Sequence, residues 1–149
     1  MIIGTNLFDF LALFLYTVFY RAEEPCQADG KEKEMIKRKD ELKVVYNEHM
    51  KGGEGTVKIV HYALQEEIGG KCRLLAKIVL EPGCSIGEHT HIDEEEIFYI
   101  IKGTASYYDN GTWVQLNEGD SAVCPGGQTH SIANKTDATV EVIATVLLY

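Results

Sequence analysis

The chain lacks any pair of cysteines at metal-finger or redox spacing: Cys26, Cys72, Cys84 and Cys124 stand far apart and no C-x-x-C occurs. A zinc ribbon and a thioredoxin-type pair are thereby excluded, and the four read as reduced thiols of an intracellular protein. Cys84 and Cys124 are read as small apolar strand residues rather than ligands. Basic charge is also short, with 14 Lys and Arg against 23 Asp and Glu and a formal charge of −9. No basic cluster interrupts the acidic second half, which argues against nucleic acid, because neutralising phosphates needs a basic face. Long apolar runs are missing too. The stretch from Phe10 to Tyr20 is apolar but shorter than the ~20 residues that cross a bilayer. No lysine or arginine precedes it and no small-x-small pattern follows, so it is not a secretory signal, and a membrane association is not expected.

Residues 1–34 are read as an N-terminal extension, apolar and then polar, that is either not native sequence or disordered. A weak anchor or a helix packed on a partner are the alternatives, and Met35 is a plausible start. Residues 35–55 form an arm, a short helix or edge strand, ending in the glycine-rich connection Lys51-Gly-Gly-Glu-Gly55. That connection reads as a flexible turn, and without a following Gly-Lys-Ser/Thr it is no phosphate loop.

From residue 56 to residue 149 the chain is strand after strand. Thr56 to Ala63 alternates, Leu74 to Leu80 stops at the turn Glu81-Pro82-Gly83, and Asn110-Gly111 between Thr104–Tyr108 and Thr112–Leu116 is a strong hairpin signal. Val140 to Leu148 sets Val140, Val142, Ala144, Val146 and Leu148 on one face. Short strands at this spacing, in a chain of 149 residues, describe one all-β domain, a sandwich or closed barrel.

Two stretches carry chemistry. In Gly83 to Gly103, His89 and His91 sit at i and i+2, so an extended backbone puts both imidazoles on one face, and Glu96 opens the apolar run Ile97 to Ile101. In Gly119 to Asn134, His130 follows the turn Pro125-Gly126-Gly127. Three imidazoles and one carboxylate suit a first-row divalent metal.

With these residues the sequence resembles the cupins. Gly83, His89, His91, Glu96 and Gly103 fill the first cupin motif, and Gly119, Pro125, Gly127, His130 and Asn134 fill the second. The resemblance spans about Thr56 to Leu148. It implies a single double-stranded β-helix, or jelly-roll barrel, with an internal metal held by His89, His91, Glu96 and His130. Manganese, iron, nickel, cobalt, copper and zinc all suit such ligands. It also implies a cytoplasmic homodimer acting on a small-molecule ligand.

Alternation from Glu96 and His130 places Phe98, Ile100 and Ile132 on the wall of a substrate pocket. One of Tyr107 and Tyr108 faces it, without a preference between them. Glu88 faces away, Asp93 to Glu95 read as a solvated turn, His61 as a packed or surface residue, and Asn134 and Gly127 as turn formers. Cupins of this size include dioxygenases, isomerases, lyases and decarboxylases, so two readings stand. One is a metal-dependent enzyme on a small oxygenated or carboxylate metabolite, and the other a binding or sensing module without turnover. Oxalate decarboxylases commonly carry an arginine three places before the first metal histidine. Ile86 stands there in this chain, so turnover of oxalate is not expected while chelation of it remains open.

Overall fold

The computed structural model describes residues 35–149; the apolar run 10–20, the polar stretch 23–34 and Cys26 lie outside the described residues. The described residues form β1 (Val44–Glu48), β2 (Thr56–Ala63), β3 (Cys72–Leu80), β4 (Ser85–Thr90), β5 (Glu94–Lys102), β6 (Thr104–Asp109), β7 (Thr112–Asn117), β8 (Ser121–Cys124), β9 (Thr129–Ala133) and β10 (Val140–Leu148). One sheet runs β1-β2-β3-β10-β5-β8 and the other β4-β9-β6-β7. All pairings are antiparallel. The architecture is a double-stranded β-helix.

Alternation explains which sheet face is inside. Val140, Val142, Ala144 and Val146 on β10 are at most 1% exposed, as their period of two requires. The first three meet Val57, Ile78, Leu80 and Ile100 of the same sheet and Ile86, Ala105, Tyr107 and Ile132 of the other in one core. Each large aliphatic or aromatic side chain fully buried there stabilises the fold by roughly 1.5–3 kcal/mol. The Asn110-Gly111 turn is a two-residue loop between Asp109 and Thr112, with φ of 40° and 112°, both in the left-handed half that such hairpins require.

Two features of the arm differ from the expectation or decide it. Val44–Glu48 is an edge strand, paired with β2 from Val44↔Val60 to Glu48↔Thr56. The Lys51–Gly55 connection is not a free turn but is packed against β4. A Cβ on Gly53 would lie 2.2 Å from the Ser85 carbonyl oxygen, and one on Gly87 would lie 2.2 Å from that of Lys51. Backbone touches backbone there, which only glycine allows. Ser85 N donates to Glu54 O at 2.9 Å and Glu54 N to Ser85 Oγ at 2.8 Å, fixing the contact.

Asn134 joins three segments at the far end of β9. Its Nδ2 donates to the Leu80 and Ala138 carbonyls, each at 2.8 Å, and its Oδ1 accepts from Thr136 N at 2.9 Å. It is a turn former, 1% exposed.

Candidate metal centre

Three strands and one turn bring the four ligand candidates to a point. His89 comes from β4, His130 from the facing position of β9, Glu96 from β5, and His91 from the turn between β4 and β5. The register of β4 slips between Ile86 and His89: Ile86 pairs with Ile132 and His89 with His130, three residues against two. This bulge, at Gly87-Glu88, turns both Ile86 and His89 inward and leaves Glu88 exposed. A glycine inside a strand is the sequence signal for it.

His91, Glu96 and His130 are buried, at 4%, 6% and 1% exposure. His130 Nε2 lies 3.0 Å from His91 Nε2 and 3.1 Å from His89 Nε2. Glu96 Oε2 lies 3.1 Å from His130 Nε2, 3.3 Å from His91 Nε2 and 3.9 Å from His89 Nε2. One donor atom from each residue falls within 4.8 Å of all the others.

The opposite ring nitrogens decide what these contacts mean. His89 Nδ1 is 2.9 Å from the Gly87 carbonyl and His91 Nδ1 is 2.8 Å from Glu94 Oε1. A carbonyl and a carboxylate only accept, so both rings carry their hydrogen on Nδ1 and turn an Nε2 lone pair inward. His130 Nδ1 lies 3.1 Å from the Tyr107 hydroxyl, which accepts from it equally well. Lone pairs gathered this closely repel unless a cation lies among them. An octahedral ion bonded at about 2.1 Å separates adjacent ligand atoms by about 3.0 Å, so the donor set fits a six-coordinate divalent metal with positions to spare.

Electrostatics agree with a site for positive charge. Burial alone would raise the pKa of Glu96, but the His130, His89 and His91 rings, which donate to it when protonated, outweigh burial and hold the carboxylate well below its usual range. The hydrogen bond to Glu96 raises the pKa of His91 despite burial. Burial dominates at His130 and lowers its pKa.

Phe98, Ile100 and Ile132 all point inward, at 1%, 0% and 1% exposure. Phe98 stacks on the His130 ring, with centroids 5.2 Å apart and planes at 21°. Ile100 and Ile132 sit further along their strands, in the apolar core. Tyr107 is the inward tyrosine, while Tyr108 packs on Trp113 at 5.3 Å. His61 is half-buried and outside the ligand group.

Glu94 is a correction. It is not part of a solvated turn but opens β5, accepts from His91 Nδ1, and receives both arms of Arg73. Hydrogen bonding from Arg73 is the main reason its pKa is lowered. No local sequence signal singles it out, because Arg73 lies 21 residues upstream.

Two antiparallel sheets with three converging imidazoles and one carboxylate between them make a small β-barrel-like protein whose interior could hold a metal ion. The model of the Cupin domain matches residues 76–146. The oxalate-binding protein of Thermotoga maritima is 36% identical over 114 residues, spanning 76% of this chain and 94% of its own. The chain belongs to the cupin family. Among solved structures, a protein of Thermotoga maritima described as a predicted oxalate decarboxylase superposes with a TM-score of 0.73 at 36% identity, over 77% of this chain and all of that one. The cupin domain of Cnp3 from Schizosaccharomyces pombe, at 15% identity and a TM-score of 0.58 over 71% of this chain and 69% of that one, shares the fold.

Proposed function

We propose that His89, His91, Glu96 and His130 hold one divalent transition metal, drawn from manganese, iron, nickel, cobalt, copper and zinc, and offer its open positions to a small oxygenated or carboxylate metabolite. The observation that carries this reading is the convergence of the Nε2 atoms of His89, His91 and His130 and of Glu96 Oε2 on a single point. Bound there, the ion supplies Lewis acidity to a coordinated carboxylate. Similarity to a protein named for oxalate binding supports a small dicarboxylate as the ligand.

Between an enzyme of dioxygenase, isomerase or decarboxylase type and a binding or sensing module, one observation favours binding. The inward side chains next to the ligands are Ile86, Phe98 and Cys124, with Ile100 and Ile132 behind them, and the one titratable group among these, the Cys124 thiol, is pushed up to about 11 by burial and stays protonated. The Tyr107 hydroxyl is engaged by His130. A homodimer in a reducing cytoplasm completes the proposal, supported by the exposed Tyr99 and Val123 on adjacent strands β5 and β8 and by the free thiols of Cys72, Cys84 and Cys124.

The test is metal analysis of protein purified without chelators, followed by calorimetric titration with oxalate and assays of oxygen uptake and product. Wild type should retain about one metal ion per chain and bind oxalate only when loaded. Metal content unchanged in His91→Ala would overturn the ligand assignment, and turnover of oxalate would overturn the binding reading in favour of the enzyme.

A further inference from the structure

The three imidazoles are oriented by three different partners. His89 leans on a main-chain carbonyl, His130 on a neutral phenol, and His91 on a carboxylate. Charge therefore reaches only one of these rings from outside the ligand set. Its carrier is itself held. Arg73 Nε donates to Glu94 Oε2 at 2.6 Å and Arg73 Nη2 to Glu94 Oε1 at 2.5 Å, so both oxygens are fixed and Oε1 is shared with His91 Nδ1 at 2.8 Å. A carboxylate gripped by a fork at both oxygens has one orientation.

The grip spans a strand. Arg73 is on β3, Glu94 on β5, and β10 lies between them, with Leu147 opposite Cys72 and Leu148 opposite Glu94. Leu148 N donates to Lys71 O at 2.9 Å and Tyr149 N to Asp93 O at 3.1 Å, so the end of β10 sets the width that the Arg73 side chain bridges. One end of the relay is open to solvent, with the Arg73 side chain 42% exposed, and the other is the His91 side chain at 5%.

We propose that Arg73 and Glu94 are positioning residues that fix the ring plane and tautomer of His91 and so set how tightly the centre holds its metal. The relay rests on the metal-centre reading above and adds to it a control point on the surface of the large sheet. Outer partners of this kind commonly carry one to two orders of magnitude in metal affinity. Glu94 holds the hydrogen on Nδ1 and so disfavours the competing tautomer with the hydrogen on Nε2, and Arg73 keeps Glu94 from swinging away into solvent.

The experiment titrates cobalt(II) into stripped full-length protein against a chromophoric chelator and records the visible band of the bound ion. E94A should weaken cobalt binding by roughly 10–100-fold. E94Q should weaken it less, since an amide oxygen still accepts from Nδ1, and R73A less again. R73K, a point charge without the fork, should fall between R73A and wild type. R73A combined with E94A should be no worse than E94A, because the two act in series. The cobalt band should shift in E94Q and R73A, a change that a loss of fold stability alone would not produce. Wild-type affinity in E94A, or full additivity in the double variant, would overturn the relay. H91A separates the two failures: if it loses cobalt while E94A does not, the relay falls and the centre stands. If H91A binds cobalt as wild type does, the centre itself has been misassigned. Because Arg73 is on the surface, R73A and R73K keep the question answerable should a Glu94 variant not fold.

Discussion

The two ends of the barrel interior are built on opposite terms. Along β5 the inward side chains run Glu96, Phe98, Ile100, and along β9 they run His130, Ile132, so one end gathers donor atoms and the other aliphatic carbon. The aliphatic end is self-sufficient, since Ile78, Leu80, Ile100, Val140 and Val142 need only each other to leave water. The donor end would gain from a cation in its midst, because Nε2 atoms 3.0 Å and 3.1 Å apart repel when unprotonated. Phe98 is the boundary, apolar toward the core and flat against His130. Core packing and the candidate ligands therefore share one interior yet are separable by position.

The largest test of that separation is metal removal. With free metal at 1,000 times Kd, loading should stabilise the wild type by about 4 kcal/mol in urea unfolding, and chelation should abolish the gain. His130→Ala should show no difference between loaded and stripped samples. A persisting difference would mean that the metal acts elsewhere. A second test is acidity. His91 in the stripped protein keeps its proton above the ordinary value of about 6.5, because Glu96 accepts from it. Protons should begin to displace the metal from above that pH, weakening apparent affinity by up to about tenfold per pH unit, or ~1.4 kcal/mol. The lowered pKa of His130 reserves its proton competition for more acid conditions, so affinity should fall in two stages in a competition titration. The smallest effect belongs to the other end. Ile100→Val should cost roughly 0.5–1.5 kcal/mol, equally with and without metal, and a metal-dependent cost would erase the boundary drawn at Phe98.

Much of this division is written locally in the chain. The spacing of His89, His91, Glu96 and His130 picks out the four residues whose donor atoms the fold brings within 4.8 Å of one another, and the period of two from Glu96 puts Phe98 and Ile100 inside. The Asn110-Gly111 pair marks its own hairpin. What needs register between distant strands is not legible this way. Tyr107 and Tyr108 have opposite parity, and only the pairing Tyr107↔Ile132 with β9 assigns the inward one. Glu94 sits in a run of four acidic residues that looks solvated until β10 lines up Arg73 across from it. The bulge before His89 lies against a loop far upstream, where Gly87 meets Lys51 and Gly53.

That loop has a consequence for one ligand. Gly53 and Gly87 occupy a gap too narrow for a methyl group, and the Gly87 carbonyl is the one that aims the His89 ring. The hinge point of this imidazole is thus wedged by the segment leading out of the edge strand β1. Displacing that outer strand would shift the carbonyl on which the His89 ring leans.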